Sequence, residues 1–153
     1  MRVPIRIAPI LDNCLSFLAE KFRRRGVEVE RHYAPVPEIS GDTEKLQQLF
    51  LNLLLNAVDA MPHGGRIVVG LGTDGDQGLE VRIHDTGIGI PQEERSRIFE
   101  PFYTTKEAGH GSGLGLVVAR KIVADHEGEI DVVSEPGEGT EFRIRFPGVP
   151  ASA

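Results

Sequence analysis

Three groups of residues in this chain have types and spacings that can do chemistry. Asn52, Asn56 and Asp59 follow one another at four and three residues, and Gln48 precedes them by four. On a helix such positions form one narrow polar stripe. Around them stand Leu46, Leu49, Phe50, Leu53, Leu54, Ala57 and Val58, which predicts a helix buried over most of its circumference, where a polar side chain needs a partner. The stripe carries amide and carboxylate oxygens and no Lys or Arg. Hard oxygen ligands of this kind suit Mg²⁺, an ion usually bound together with substrate phosphates. The same stripe also fits the solvated face of an ordinary amphipathic helix.

Asp85 heads the second group, Asp85-Thr-Gly87-Ile-Gly89-Ile90, directly after the apolar strand pattern of Leu79 to Ile83. Glycines after a strand let the backbone come close to a flat ligand. An ionised carboxylate only accepts hydrogen bonds, so it suits the exocyclic amine of adenine. Guanine would present an oxygen there, and two acceptors facing each other in a dry pocket are costly. A turn capped by the aspartate is the alternative reading. The third group is Gly109-His110-Gly111-Ser112-Gly113-Leu114-Gly115-Leu116, running into a helical pattern. Glycine-rich backbone ahead of a helix N-terminus offers N–H donors and a positive dipole end to phosphate, and Lys106 precedes it. A plain flexible linker has similar composition. The chain has no G-x-x-x-x-G-K-[ST], and its glycines do not follow G-x-G-x-x-G after a strand. Between these groups, Phe99, Phe102 and Tyr103 can anchor one end of a long loop while its glycine-rich end moves, as a lid over a ligand does.

Elements to position these groups are legible in the hydrophobic spacing. Arg2 to Ile7 alternates as a short strand, and Ala8 to Arg25 reads as one helix stopped by Gly26. Val27 to Tyr33 alternates again, and Pro35-Val-Pro37 is a loop. A second helix runs from about Asp42 to Met61, capped by Asp42 or Thr43 and closed by Pro62 and Gly64-Gly65. Arg66 to Leu71 and Leu79 to His84 read as paired strands joined by a Gly/Asp-rich turn. The long stretch from Asp85 to Gly113 holds one short helical piece near Gln92 to Ile98, and a loop of that length in a compact domain is functional or disordered. A third helix, Leu114 to His126, and two strands, Glu129 to Ser134 and Thr140 to Phe146, complete the pattern. The sum is a two-layer α/β sandwich: a mixed, mostly antiparallel sheet covered on one face by three helices. Residues 1–147 form the domain and 148–153 a flexible tail.

In their order and spacing these segments resemble the boxes of the histidine-kinase ATPase family, within the gyrase, Hsp90, histidine kinase and MutL superfamily. Asn52-Leu-Leu-Leu-Asn56-Ala-Val-Asp59-Ala60 is similar to its N box, and Asp85-Thr-Gly-Ile-Gly89 to its first glycine box. Phe99-Glu-Pro-Phe102 is similar to the F box, Gly111-Ser-Gly-Leu-Gly115-Leu to the second glycine box, and Gly137-Glu-Gly-Thr140 to the closing patch. The resemblance covers nearly the whole chain and implies a Bergerat-type fold that binds Mg-ATP. It implies that Asn56 binds Mg²⁺ with Asn52 beside it at the phosphates, and that Asp85 holds the adenine amine with support from Thr140. Gly87 and Gly89 would shape the adenine pocket, and Gly111, Gly113 and Gly115 the phosphate end of the lid. Lys106 would neutralise phosphate charge, and Asp59, Ile90, Ser112, Leu114 and Leu116 would complete the nucleotide-contacting set. Many kinases of the family carry Lys and an aromatic where this chain has Asp59 and Ala60; the Asp-Ala version belongs to another branch, and it leaves more of the phosphate work to Lys106.

ATPases of the superfamily place a Glu one turn before the Mg²⁺-binding Asn to activate water. This chain has Asn52 there, and an amide is no base. A neutral imidazole already offers a lone pair, so the substitution favours a kinase with a histidine acceptor. None of His32, His63, His84, His110 and His126 suits that role; only His126-Glu127 has the His-acid pairing of an acceptor helix, and Gly128 ends the helix at once. The acceptor is expected on upstream dimerisation and phosphotransfer helices, with the opening strand at the junction, and a response-regulator receiver as the next partner. Two alternatives are an anti-sigma-type serine kinase and a nucleotide-binding module that transfers nothing.

Bulk composition limits the partners. A net charge of -6 argues against nucleic acid, which calls for clustered Lys and Arg. Arg23-Arg24-Arg25 sits at a helix end, where the helix dipole accounts for it. No stretch approaches the ~20 apolar residues of a membrane span, and no signal peptide stands at Met1, so the chain is expected to work in the cytoplasm, as a monomer when isolated. Cys14, the single cysteine, reads as a buried small hydrophobe.

Overall fold

The computed structural model describes residues 2–75, 78–88, 115–135 and 137–148. In chain order the elements are β1 (Val3–Ile5), α1 (Ile7–Phe17), α2 (Ala19–Arg25), β2 (Val27–Tyr33), β3 (Ile39–Gly41) and α3 (Thr43–Asp59). They continue as β4 (Gly65–Asp74), β5 (Gly78–Asp85), α4 (Gly115–Asp125), β6 (Glu129–Glu135) and β7 (Gly139–Pro147). The main sheet has the order β2-β4-β5-β7-β6; β2 pairs with β4 in parallel and every other pair is antiparallel. β1 and β3 form a separate antiparallel pair.

Strand alternation decides which face is buried. Ile67, Val69 and Leu71 of β4, Leu79, Val81 and Ile83 of β5, and Phe142, Ile144 and Phe146 of β7 all join one core with the helices. The other face presents Glu80, Arg82, His84, Glu141, Arg143 and Arg145 along β5 and β7. The Arg145–Glu80 ion pair at 3.6 Å and a His84–Glu141 contact at 4.0 Å run across the strands on it. An antiparallel sheet can keep one face in water in this way, and each exposed pair contributes at most about 1 kcal/mol.

α3 is the spine of the helical layer. Leu46, Leu49, Phe50, Leu53, Leu54, Ala57 and Val58 are all buried, as their spacing predicts. Burying each large apolar side chain contributes roughly 1.5–3 kcal/mol. The helix is opened by Asp42, whose Oδ1 accepts the Glu44 and Lys45 N–H groups at 3.1 and 3.3 Å, a cap worth about 1 kcal/mol.

Two expectations need correction. The helix expected over Ala8 to Arg25 is two helices, so four helices rather than three are described. Leu18, at φ -95° and ψ 2°, breaks the run. The apolar positions Ile10, Leu11, Cys14, Leu15, Leu18 and Phe22 stay buried across the break, while Phe17, counted with them in the pattern, is exposed; the periodicity continues through the bend and hides it. β3 falls in a segment left without structure; it is three residues long and pairs only with the equally short β1. The remaining boundaries differ chiefly by longer strands. Gly26 ends α2 at φ +70°, its N–H reaching the Arg23 carbonyl, with Arg23, Arg24 and Arg25 in the last turn. Cys14 is buried, which pushes its thiol up to about 11. No helix among the described residues is long and apolar enough to cross a membrane.

Candidate functional site

The candidate site forms where the end of β5 meets the C-terminal end of α3. In β5 the side chains of Leu79, Val81 and Ile83 enter the core, and one more step of the same alternation turns Asp85 inward. Asp85 lies opposite Ile67 on β4 and Thr140 on β7 and is only 3% exposed. A buried carboxylate must be held by donors. Gly87 N–H donates to Asp85 Oδ1 at 2.8 Å, and the Thr140 N–H also reaches the carboxylate. Burial nonetheless outweighs these donors and the nearby His84, holding the carboxyl above the ordinary aspartate value. The Gly87 bond is the capped turn that the sequence offered as an alternative. Turn and pocket occur together, because one carboxylate has acceptor sites for both.

Backbone packs tightly around this carboxylate. Ile88 N–H donates to the carbonyl of Ala60, the residue that ends α3, at 3.1 Å, and Gly137 N–H donates to the Ile88 carbonyl at 2.8 Å. A Cβ at Gly87 would run into the Ala60 carbonyl and stand 2.8 Å from Asp85 Oδ1. Gly139 has φ +98°, and a Cβ there would collide with the Asp85 carbonyl. Thr86 Oγ1 accepts the Arg66 N–H at 3.0 Å, tying the segment to β4.

Thr140 is buried beside Asp85, and its Oγ1 lies 2.8 Å from Ser134 Oγ, which also donates to the Gly139 carbonyl at 2.9 Å. Ser134 and Gly139 escaped the sequence reading as site residues. The signal was present, since Ile130, Val132 and Ser134 alternate on β6, and Ser134 puts a hydroxyl in the core-facing position opposite Thr140.

The polar stripe on α3 is as spaced. Asn52 and Asn56 are half-buried, while Gln48 and Asp59 are exposed. The structure thus brings two amides into partial burial on the helix whose end meets Asp85. α4 packs against α3 and begins at Gly115, with Leu116 half-buried against the core. The first four N–H groups of a helix have no intrahelical acceptor and carry its positive dipole end. Gly89, Ile90, Lys106, Gly111, Ser112, Gly113 and Leu114 lie outside the described residues, as do Phe99, Phe102, Tyr103, His110 and the helical piece near Gln92 to Ile98.

His126 is settled differently. It is buried, with Nδ1 donating to the Ile122 carbonyl at 2.8 Å and Nε2 accepting the Asp42 N–H at 3.0 Å. Both ring nitrogens are occupied, so this imidazole clamps the end of α4 to the start of α3 and offers no free nitrogen as a phosphoacceptor. His84 faces Glu141 on the open sheet face, and His32 contacts Glu30 at 2.7 Å.

The site's donor set fits an adenine nucleotide. Its buried carboxylate sits in a cradle that a Cβ at Gly87 would fill, and amide oxygens stand one element away. Comparisons with known proteins point the same way. A family model described as histidine kinase-, DNA gyrase B- and HSP90-like ATPase matches residues 41–150. Sporulation kinase E of Bacillus subtilis (strain 168) is 44% identical over 112 residues, covering 73% of this chain and 15% of that protein. The match therefore spans about a seventh of that relative's length. Among solved structures, the mycobacterial sensor histidine kinase MprB superposes with a TM-score of 0.85 at 33% identity, over 99% of this chain and 100% of that one. Full-length ShkA in complex with AMPPNP gives a TM-score of 0.87 at 29% identity, over 99% of this chain and 32% of that one.

Proposed function

Since the chain belongs to the histidine kinase-, DNA gyrase B- and HSP90-like ATPase family, as an ATP-binding catalytic domain of the histidine-kinase type, we propose that it binds Mg-ATP and donates the γ-phosphoryl group to a histidine on a separate dimerisation domain. The observation that carries the nucleotide assignment is Asp85, a buried carboxylate at a strand end with its remaining acceptor capacity beside a glycine cradle.

Each residue has a bounded task. Asp85 accepts from the adenine amine, with Thr140 in support, and the close backbone at Gly87 leaves a flat slot for the base. Asn52 and Asn56 present amide oxygens toward the phosphates, with Asn56 as a ligand to the metal. Mg²⁺, bound with the phosphates, supplies charge neutralisation there. The N-terminal end of α4 contributes backbone N–H groups and a positive dipole end. Lys106, Gly89, Ile90, Asp59, Gly111, Ser112, Gly113 and Leu114 are assigned to the same nucleotide by the family pattern. Catalysis by such a domain is positioning and electrostatic stabilisation, with no covalent step of its own. Asn52 provides no base for water, so transfer to an imidazole is favoured over hydrolysis.

The parent protein, on this reading, autophosphorylates on its acceptor histidine and passes the phosphoryl group to a receiver domain, with the catalytic domain working in the cytoplasm. Incubating the chain with radiolabelled ATP, Mg²⁺ and the parent's dimerisation helices tests it. Label on the helices that is stable to base and labile to acid is expected for a phosphohistidine, and acid-stable label would point to a hydroxyl acceptor instead.

A further inference from the structure

We propose that Thr86 is a positioning residue for nucleotide binding: its hydroxyl takes the place of its own carbonyl in the β4–β5 ladder, which frees the following peptide to hold Asp85. The proposal rests on the adenine-site reading above and starts from the ladder. β4 and β5 keep antiparallel register as far as Ile67 and Asp85, so the next opposed residues are Arg66 and Thr86. Directly opposed residues of a hydrogen-bonded pair exchange two bonds, each N–H to the other's carbonyl. Thr86 N–H does donate to the Arg66 carbonyl, at 3.2 Å. The bond in return goes elsewhere: Arg66 N–H donates to Thr86 Oγ1 at 3.0 Å. Arg66 is thus paired as in a sheet, while the Thr86 carbonyl is left out of the ladder. The Thr86–Gly87 peptide can then turn out of the strand, and Gly87 N–H folds back on Asp85 Oδ1 at 2.8 Å.

Two further contacts fix this hydroxyl in place. Its own proton goes to Met61 Sδ at 3.6 Å, a sulfur that only accepts, and Met61 is 1% exposed just past the end of α3. Gly65 leaves the room: a Cβ there would stand 2.5 Å from Thr86 Oγ1 and 2.7 Å from Met61 Sδ. The hydroxyl therefore joins the start of β4 to the end of α3, and the chain crosses that junction on its way to the Ala60 carbonyl, which Ile88 N–H reaches. Without the hydroxyl, Arg66 N–H turns to water, which leaves the turn unsupported, or to the Thr86 carbonyl. The second choice draws the Thr86–Gly87 peptide back into the sheet and Gly87 N–H away from Asp85. Thr86 is exposed where Asp85 is buried, so it acts on the base through the turn and not by contact.

Calorimetric titration of the chain with Mg-ATP, together with amide exchange followed by NMR, provides the test. Thr86→Val keeps the branched shape and removes the hydroxyl; it should weaken ATP binding by roughly fivefold, the size of one neutral hydrogen bond. Thr86→Ser keeps the hydroxyl and should keep the parent's affinity. In Thr86→Val the Gly87 amide should exchange faster while those of Val81 and Ile83 in β5 keep their protection, which is a local opening and not a global one. Gly65→Ala crowds the same hydroxyl and should also weaken ATP binding, and combining it with Thr86→Val should cost less than the two single effects added together. A Thr86→Val variant that binds ATP as the parent does would overturn the inference. So would all three amides speeding up together, which is loss of stability alone, or a Thr86→Ser variant as weak as Thr86→Val. Should Thr86→Val fail to fold, Thr86→Ala makes the same comparisons. A parent chain that binds no Mg-ATP overturns the adenine-site reading itself and this inference with it.

Discussion

Replacing Gly87 by alanine should cost the protein both stability and nucleotide affinity. The new Cβ would stand 2.8 Å from Asp85 Oδ1 and closer still to the Ala60 carbonyl, whereas ordinary contact begins at 3.4 Å. About 0.6 Å must therefore be found on the carboxylate side alone. Ala60 cannot readily supply it, because its carbonyl ends α3 and is held by the Ile88 N–H at 3.1 Å. The Asp85–Gly87 turn has to move, which breaks or lengthens the 2.8 Å bond from the Gly87 N–H. Overpacking of this kind costs about 1–3 kcal/mol, a fall in melting temperature of roughly 3–10 °C for a domain of this size. A displaced carboxylate also loses a charge-assisted bond to the adenine amine, so ATP affinity should fall about tenfold or more. Gly72→Ala is the control, because a Cβ at that position has nothing within 4 Å; it should melt and bind as the parent does. Thermal melting and isothermal titration of both variants decide the matter. A Gly87→Ala protein that matches the parent in both would refute the cradle as described.

Other consequences follow from the same contacts. Glu127 sits at φ +61° in the αL position that ends α4, with Gly128 N–H reaching the Val123 carbonyl and Glu127 N–H the Ala124 carbonyl. Glu127→Gly should raise stability to chemical denaturation by about 0.5–1 kcal/mol, the exposed Arg2–Glu127 pair contributing little against it. His126→Phe keeps a ring against Phe146 but orphans the Asp42 N–H and the Ile122 carbonyl, so a loss of about 2–3 kcal/mol is expected in the same denaturation assay. Asn56→Ala should remove most of the Mg²⁺-dependent part of ATP affinity and spare the metal-independent part, as titrations with and without chelator would report. Burial holds Asp85 above its ordinary value of 3.8, so the folded protein binds that proton more readily than the unfolded chain. Its contribution to stability is then greatest below pH 3.8 and is lost as pH rises through the folded value. ATP affinity runs the opposite way and should weaken on acidification before an ordinary aspartate would titrate, as calorimetric titrations of the parent at stepped pH would report.

Much of the fold was readable from the sequence because single elements carry their own period. α3 shows a 3.6-residue apolar pattern with an Asp cap, and β5 alternates up to Asp85; both lie where the pattern puts them. The bend at Leu18 was hidden because the buried stripe from Ile10 to Phe22 runs through it without a glycine or proline to mark it. β3 was missed because three residues cannot show a period, and its pairing with β1 is set by tertiary contact. Within the site, Asp85 and the α3 amides stood out by residue type, while Ser134 did not. A serine near a strand end looks like any turn residue until the β6–β7 register places it against Thr140. The roles of the backbone carbonyls of Ala60 and Gly139 have no residue-type signal at all.

The measurement that bears most directly on the central claim is calorimetric titration of the chain with Mg-ATP and Mg-GTP, alongside an assay for phosphate release. Binding that is adenine-selective, Mg²⁺-dependent and lost in Asp85→Asn, with negligible phosphate release, is the result expected of a kinase domain that transfers to a histidine. Equal affinity for the two nucleotides, or rapid release of phosphate despite Asn52, would contradict it.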